Sequence, residues 1–409
     1  MRIIFLLLLA AFTSLGQMYG QRCISQFGLE NISASEIERR NRHFEQVESF
    51  LTSHPVMDRN PITIPLVFHI VYRNEEENIS DEQVLSQLEV LNEDFRKLNI
   101  EQEDIPFAFK FRATDMALNF VLADTDPNGQ VTTGITRTFT EVNNIGSKFL
   151  NNRRSICYND LGGHDAWCPE QYLNIWVGAL ESGLGQSSFP ELGPLEEDGI
   201  RIIPEVVGTI GTVEPPYHLG RTLTHEIGHF FDLYHLWDDC NAEGDGIEDT
   251  PPQASSYLNQ CPSGAQFTCE TLDMYMNFMN YTDDACMSMF THKQKDRLWA
   301  VLNTSRSSFM NEDNCGLVSN ISSSSEVPKV QVFPNPSSDF IYINPINSKI
   351  DRLVLIDLHG KVCKKLNVQT TNTYALIDIT DLLDGVYYLQ ISNGTQRRSK
   401  KIVVQKTNK

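Results

Sequence analysis

Between residues 62 and 302, continuous apolar segments alternate with segments of helical periodicity. The run Ile62–Tyr72 (ITIPLVFHIVY) has the β-branched and aromatic content of a buried strand. Leu118–Leu122, Tyr172–Val177 and Gly199–Ile203 are three further strand candidates. Strands with helices interspersed among them predict an α+β domain of about 255 residues.

Three helices are predicted in the same region. Ser80–Gln83 has the spacing of a capping box, and the apolar stripe after it is typical of a helix packed on a core. A second helix is predicted from about Leu219 to Leu233, and a third begins with the capping box Thr291–Gln294 and continues through Leu302. The stripe of the first helix consists of Val84, Leu88, Leu91, Phe95 and Leu98.

The C-terminal 81 residues, 329–409, have a different pattern, after a linker at 316–328 whose centre is the serine-rich segment Ile321–Glu326. Short alternating segments recur here, and turn residues such as Asp384-Gly385 separate them. This pattern predicts a small antiparallel β-sandwich. The predicted strands are Phe340–Ile343, Leu353–Asp357, Tyr374–Ile377, Val386–Ile391 and Lys401–Val404.

The N-terminal residues have the pattern of an export signal. Arg2 precedes the apolar run Ile3–Phe12, and small residues follow it up to Gly20. Because the run is too short to anchor in a bilayer, residues 1–20 are predicted to be a signal peptide and the polar segment 21–57 a propeptide. No later stretch approaches the roughly 18 apolar residues of a membrane span, so no transmembrane anchor is predicted.

Charge and cysteine content narrow the functional classes. The formal net charge of −20 argues against nucleic acid as a partner, because phosphates would be repelled. Nine cysteines in an exported chain predict disulfides, with one cysteine left over. The protein is therefore expected to be secreted or attached to the cell surface.

The segment His225–His235 (HEIGHFFDLYH) holds the strongest chemical signal. His225 and His229 lie four residues apart, so on a helix both rings project from one face and can share a metal ion. His235 completes a set of three imidazoles and leaves the fourth tetrahedral position of zinc to water. Zinc lowers the pKa of such a water to about 7. Glu226 would take the proton of this water and deliver it to the leaving amine, which predicts peptide-bond hydrolysis without a covalent intermediate.

His235 can join the other two ligands only if the helix stops after His229 and the chain turns back sharply. Asp232 occupies the position where a glycine would usually provide a positive φ. Aspartate tolerates the left-handed region better than most residues, so the turn remains feasible. The alternative is that Asp232 merely caps the end of the helix, and the two roles are compatible.

This helix and the downstream segment Asn277–Asp284 (NFMNYTDD) resemble the metzincin metallopeptidases, in particular the pappalysin (cytophagalysin) family. The resemblance implies a metzincin-like catalytic domain, with a twisted mixed sheet and an active-site helix, at residues 58–315. It also implies that Met279, in a tight turn, forms an apolar floor beneath the zinc, and that Tyr281 stabilises the oxyanion. The family more often has Gly or Asn where this chain has Asp232.

Further segments resemble the same family. Gly162–Trp167 and Tyr172–Val177 resemble the segment that leads into its central strands. Leu184–Pro190 resembles its upper-rim edge strand, which would pair with an extended substrate. Some relatives favour a basic residue after the cleaved bond, and Asp283 or Asp284 could supply acidic potential there; both could also be turn residues.

The resemblance also implies a pairing for the cysteines around the site. Four cysteines allow three connectivities, and the family pattern favours Cys240–Cys269 with Cys261–Cys286. Cys157–Cys168 is expected as a third bridge.

Calcium is expected in the acidic loop Glu243–Thr250, since relatives carry it in this region and clustered carboxylates suit its need for oxygen ligands. The expected calcium ligands are Asp245, Asp249 and Thr250. The alternative is an acidic loop that is simply solvated.

Cys23 lies in the predicted propeptide and could place a thiolate at the open position of zinc, as in related cysteine-switch zymogens. The precursor would then be latent. The alternative is an incidental thiol.

The C-terminal segment resembles the sorting domain of the type IX secretion system. The resemblance is carried by Val332–Pro336, Leu355–Lys361, Leu383–Leu389 and Lys401–Lys406, in the order found in that family. It implies that outer-membrane secretion machinery is a partner. A carbohydrate-binding or adhesive β-sandwich is the competing interpretation.

Together these features predict a secreted zinc endopeptidase that acts on proteins or peptides and is made as a signal–pro–catalytic–sorting precursor. A weakly active or inactive zinc-stabilised binding protein is the alternative, and the presence of both Glu226 and Tyr281 argues against it. A thermolysin-like enzyme would use a distant glutamate as third ligand in place of His235.

Overall fold

The computed structural model of the chain describes Cys23 and residues 33–54, 60–241 and 244–310, together with C-terminal segments at 331–333, 337–344, 352–356, 362–367, 375–393 and 396–406. The predicted signal peptide, residues 1–20, and the whole of the predicted linker, residues 316–328, lie outside the described residues. The chain divides into two compact units, Met1–Leu317 and Val318–Lys409.

Ten strands and five α-helices make up the described part of the first unit. The strands are β1 (Ile62–Tyr72), β2 (Leu118–Leu122), β3 (Ile135–Phe139), β4 (Phe149–Leu150), β5 (Arg153–Arg154), β6 (Leu173–Val177), β7 (Gly185–Ser187), β8 (Ile200–Ile202), β9 (Phe267–Thr268) and β10 (Thr271–Leu272). The α-helices are α1 (Ala34–Ser53), α2 (Asp81–Phe95), α3 (Phe107–Lys110), α4 (Arg221–Phe230) and α5 (His292–Asn303). Short 3₁₀ helices lie at Ile100–Asp104, Ile145–Ser147, Ser155–Cys157, Asn159–Leu161, Leu195–Glu197, Pro204–Val206, Asp284–Cys286 and Ser307–Met310.

A six-stranded mixed sheet lies at the centre of this unit. The long strand β1 pairs in parallel with β2 and β3 along successive parts of its length, and with β6. β6 pairs in parallel with β8, and β7 is an antiparallel edge strand beside β8. Seven of the eleven residues of β1 are buried, including the unbroken run 66–71. A parallel strand covered on both faces needs such a continuous apolar sequence. The predicted mixed α+β fold is confirmed.

The helices cover the sheet and bring the site to its edge. α4 packs against α2 and against the strands β7 and β8. Buried side chains of β1, α2, α4 and α5 belong to one continuous apolar core. The helix that carries the histidines is therefore held beside the edge strand.

Three helical predictions differ from the structure in detail. The Ser80 hydroxyl caps α2 as expected, but the Gln83 side chain donates to the carbonyls of Pro204 and Val207 instead of closing a capping box. α2 ends at Phe95, so Leu98 lies beyond it and is exposed. α4 is shorter than predicted, because the chain leaves the helix after Phe230.

The helix α1 was not predicted, because the segment 21–57 is polar and suggests no core. A complete capping box between Ser33 and Glu36 starts this helix. Its buried face consists of Arg40, His43 and Val47. Two of these three residues are polar, so hydrophobic periodicity gives little sign of the face.

The second unit is the antiparallel β-sandwich that its pattern predicts. Its strands are β11 (Gln331–Phe333), β12 (Phe340–Asn344), β13 (Arg352–Ile356), β14 (Val362–Asn367), β15 (Ala375–Asp378), β16 (Gly385–Asn393) and β17 (Gln396–Val404). One sheet has the strand order β11-β12-β15 and the other β14-β13-β16-β17, and all pairings are antiparallel. Apolar side chains of both sheets form one buried cluster. β11 and β14 were not predicted.

The structure contains the two interleaved disulfides that the resemblance implied, Cys240–Cys269 and Cys261–Cys286. The third predicted bridge, Cys157–Cys168, is wrong. Cys157 keeps its thiol in a buried cluster with Val71 and Trp176, whereas Cys168 is disulfide-bonded and packs on a different cluster. Burial raises the pKa of the Cys157 thiol to about 12.

Candidate active site

Three buried histidines converge at the C-terminal end of α4. His225 and His229 lie one turn apart on the helix, and their Nε2 atoms are 3.0 Å apart. The Nε2 atom of His235, from the following loop, lies 3.1 Å from that of His225 and 3.0 Å from that of His229. The side chains predicted to share a metal ion therefore meet at one point.

The hydrogen bonds of these rings show that the site suits a cation. Nδ1 of His225 donates to the carbonyl of Phe278, and Nδ1 of His229 donates to the carbonyl of Leu233, each at 2.7 Å. Because a carbonyl can only accept, the ring proton is on Nδ1 and the Nε2 lone pairs face one another. Such close lone pairs repel unless a cation lies between them. Three imidazole nitrogens are the donor set of a catalytic zinc site.

Burial keeps these imidazoles in the neutral form that binds metal. It lowers the pKa of His229 to about 4, although the Leu233 carbonyl and Asp232 partly oppose this. Burial also lowers the pKa of His235 well below its ordinary value. At neutral pH, protons therefore compete little with a metal for this site.

The turn that returns His235 to the site passes through Asp232, whose φ is +69°. The amide of Leu233 donates to the carbonyl of Gly228 at 2.9 Å and closes the helix end. The left-handed conformation expected of Asp232 is therefore present.

The Asp232 side chain is fully buried and surrounded by cationic or hydrogen-bonding groups. Its carboxylate accepts from Arg297 at 2.7 Å and from His43 at 3.1 Å, and it contacts Arg40. Burial opposes ionisation of Asp232, but Arg297 and Arg40 outweigh it and hold the pKa of this carboxyl well below its usual range.

Glu226 follows the first histidine and lies beneath the edge strand β7. A Cβ atom on Gly185 of β7 would lie 2.8 Å from Oε1 of Glu226, so a larger residue there would displace the carboxylate. Gly185 is a residue that the sequence reasoning missed. Its position within the proposed rim segment Leu184–Pro190 was the available signal.

Met279 lies below the helix α4, in a turn held by Asn277. The amide of Met279 donates to the side-chain oxygen of Asn277 at 2.9 Å. A Cβ atom on Gly228 would collide with Sδ of Met279, so the absence of a side chain lets the thioether approach the helix backbone. Gly228 was also missed, and a glycine between two ligands in mid-helix is its signal.

Tyr281 is buried beside the histidines. Its ring centroid lies 4.8 Å from that of His235 and 4.7 Å from that of Trp237, which stacks on His235 at 4.4 Å. Burial, with a smaller contribution from Cys23 and Glu226, raises the pKa of the Tyr281 hydroxyl. The hydroxyl therefore stays protonated and donates to the Cys23 carbonyl at 2.7 Å.

Cys23 lies at the centre of the site. Its Sγ atom and one ring nitrogen of each of His225, His229 and His235 lie within 4.8 Å of one another. Its backbone forms an isolated parallel bridge with Gly185 of the edge strand. The thiol that is expected to block the metal therefore lies beside the three histidine nitrogens.

The acidic loop brings only part of the expected calcium set together. Oδ1 of Asp245 accepts from the Thr250 hydroxyl at 2.6 Å, and its Oδ2 atom is buried without a hydrogen-bond partner among the described residues. Asp249 instead accepts from the hydroxyl of Thr291 and the amide of Lys293, at the start of α5. Asp249 therefore acts as a cap for that helix.

The two acidic residues after Tyr281 have different surroundings. Asp284 is buried and accepts from the amide of Leu219, just before α4, and from the amide of Arg221, the first residue of α4. Asp283 is partly exposed.

Comparisons with known proteins agree with this geometry. Residues 157–303 match the family model described as pregnancy-associated plasma protein-A. An extracellular metalloprotease of Verticillium alfalfae is 30% identical over 269 residues, which cover 63% of this chain and 81% of the relative. The chain belongs to this family, the pappalysins. It is accordingly a zinc metallopeptidase.

Solved structures give the same result. A promirolysin mutant from Tannerella forsythia is 36% identical, with a TM-score of 0.63 over 71% of this chain and 97% of that one. Mature mirolysin from the same organism, in complex with a cleaved peptide, is 40% identical, with a TM-score of 0.57 over 61% of this chain and 96% of that one.

The second unit identifies the route of this pappalysin out of the cell. Residues 331–405 match the secretion system C-terminal sorting domain. With the extracellular relatives, this match places the protein outside the cell or on its surface. Among the described residues, no helix is both long and apolar enough to cross a membrane.

Replacing His235 with alanine is expected to abolish zinc binding at pH 7, because it removes one of three converging nitrogens. His292→Ala is the control, since His292 is exposed at the start of α5. Elemental analysis of the purified proteins measures the loss, and full zinc content in the His235 variant would contradict it.

Because burial lowers the folded-state pKa of His229 from 6.5 to about 4, the stability that its neutral ring contributes to the metal-free protein should be complete above pH 6.5 and decline toward pH 4.

Proposed function

We propose that the chain is a latent zinc endopeptidase precursor in which Glu226 is the general base. The convergence of His225, His229 and His235 beside the Glu226 carboxylate carries the proposal. Zinc held by the three imidazoles would lower the pKa of a coordinated water and polarise the scissile carbonyl. Glu226 accepts the proton of the attacking water and delivers it to the leaving amine.

Tyr281 is proposed to donate a hydrogen bond to the oxyanion that develops on the scissile carbonyl. Its hydroxyl already donates to a peptide carbonyl, that of Cys23. That carbonyl stands in for the carbonyl of a substrate bound along β7. A donor aimed at developing charge can contribute several kcal/mol to catalysis.

Replacing Glu226 with glutamine is expected to lower kcat/KM for a fluorogenic peptide by about 1,000-fold with zinc content unchanged, because the proton acceptor is lost but not a ligand. Tyr281→Phe should lower kcat by about 100-fold. Glu248→Gln is the control, since Glu248 is exposed. Unchanged cleavage by the Glu226 variant would refute the assignment. A wild-type protein that binds zinc but cleaves nothing would favour a binding protein.

The precursor is proposed to comprise a signal peptide (1–20), a propeptide (21–57), the catalytic domain (58–315), a linker (316–328) and the sorting domain (329–409). Latency would come from the Cys23 thiolate, which would take the position on the metal that is otherwise open to water. The approach of its Sγ to the three histidines supports this.

Replacing Cys23 with alanine is expected to make the uncleaved precursor active, because the position facing the metal is then open to water. Cys363→Ala, in the second unit, is the matched control. The initial rate of peptide hydrolysis, with gel analysis to verify an intact chain, measures the effect. A Cys23 variant as inert as the control would rule out this mechanism.

Asp283 is proposed to give the enzyme a preference for a basic residue after the scissile bond. Asp283 is partly exposed, so its carboxylate can supply negative potential to a bound basic side chain, whereas Asp284 is buried at the start of α4. Cleavage-site mapping on a peptide library should show enrichment of Arg and Lys that Asp283→Asn reduces. An unchanged profile in that variant would exclude Asp283.

Calcium is proposed to bind in the acidic loop through Asp245 and Thr250, on the buried Oδ2 atom of Asp245. A calcium-dependent rise in melting temperature should be absent in Asp245→Asn.

The C-terminal unit is proposed to engage the outer-membrane secretion machinery. Deletion after residue 328 should therefore block export and preserve peptidase activity.

A further inference from the structure

A buried arginine of α1 connects the loop that follows β7 with the turn between the second and third histidines. Nη1 of Arg40 donates to the Pro190 carbonyl at 3.0 Å, in the loop that follows β7. Nη2 of the same guanidinium contacts the Asp232 carboxylate and the Tyr234 hydroxyl, in the turn between the second and third histidines. Its central carbon lies 5.4 Å from the ring centroid of Phe189. The guanidinium thus has carboxylate, carbonyl, hydroxyl and aromatic neighbours, which are the partners that arginine prefers.

Other contacts place α1 along the same loop and the same turn. Nε of Arg39 donates to the Glu191 carbonyl at 3.3 Å, and Glu36 accepts from the amide of Gly193 at 3.2 Å. At the turn 232–234, Nε2 of His43 lies 3.1 Å from Oδ2 of Asp232. The helix therefore bridges the rim loop 189–193 and the turn 232–234.

Asp232 has a second partner that does not belong to α1. Arg297, on α5, donates to the Asp232 carboxylate at 2.7 and 3.1 Å and to its carbonyl at 2.9 Å. Removing one member of a buried ion pair normally leaves an unpaired charge and destabilises the fold. Here the Asp232–Arg297 pair remains when α1 departs, so the turn that carries His235 can survive the loss of the helix.

We propose that the Pro190 carbonyl, Asp232 and Tyr234 form a guanidinium-binding site through which Arg40 holds α1 as a removable clamp between the rim loop 189–193 and the turn 232–234. The clamp keeps the N-terminal segment bound after the chain is cut between α1 and β1. It deepens the proposed latency, but it is independent of the metal and of Cys23. Cutting the chain and releasing the segment are then separate steps of activation.

The test uses the full chain carrying Cys23→Ala and Glu226→Ala, so that neither the metal contact nor self-cleavage contributes. A recognition sequence for a specific protease replaces residues 55–59, and gel filtration after cleavage measures the retained N-terminal fragment. We expect the parent protein to retain the fragment, and Arg40→Ala to release it at least about 100-fold faster, the loss expected for a buried pair. Arg42→Ala is the control, because Arg42 lies on the same helix with its side chain 56% exposed.

Zinc content and melting temperature before cleavage establish that each variant is folded. Should Arg40→Ala fail to fold, Arg40→Lys keeps the charge without the planar fork and should give release faster than the control. Retention by the Arg40 variant equal to that of Arg42→Ala would overturn the proposal, as would immediate loss of the fragment from the parent. Because the readout is binding, an inactive protein would refute the proposed peptidase function and leave this result standing.

Discussion

The close approach of three imidazole nitrogens is the constraint on which the rest of the site depends. α4 supplies two of them, but the third requires the chain to leave the helix and return within six positions. The left-handed turn at Asp232 achieves this, and Arg297 holds the turn from α5. The edge strand β7 and the turn that contains Met279 then pack around the point where the three nitrogens meet.

The local parts of this arrangement could be predicted from the sequence. A spacing of four on a helix places His225 and His229 on one face whatever the rest of the chain does. The continuous apolar run of β1 identifies its strand to the residue, because a buried parallel strand has few other compositions. The left-handed backbone at Asp232 likewise follows from the need to return the third ligand.

Features that depend on distant partners could not be predicted in the same way. The buried face of α1 is largely polar, and its charges are matched by Asp232, almost 200 positions away in the sequence. The glycines at 185 and 228 matter only because Glu226 and Met279 occupy the space beside them. Cysteine counting suggested a bridge for Cys157, but packing separates it from Cys168 into another part of the core.

The buried sulfhydryl at position 157 has a consequence for the two interleaved cross-links around the active-site loops. Thiol–disulfide exchange proceeds through the thiolate, and a group whose pKa is raised to about 12 is almost never ionised at physiological pH. Packing around Val71 and Trp176 also shields the sulfur from approaching disulfides. The folded enzyme thus carries this cysteine without a route to scrambling its own covalent framework in an oxidising environment.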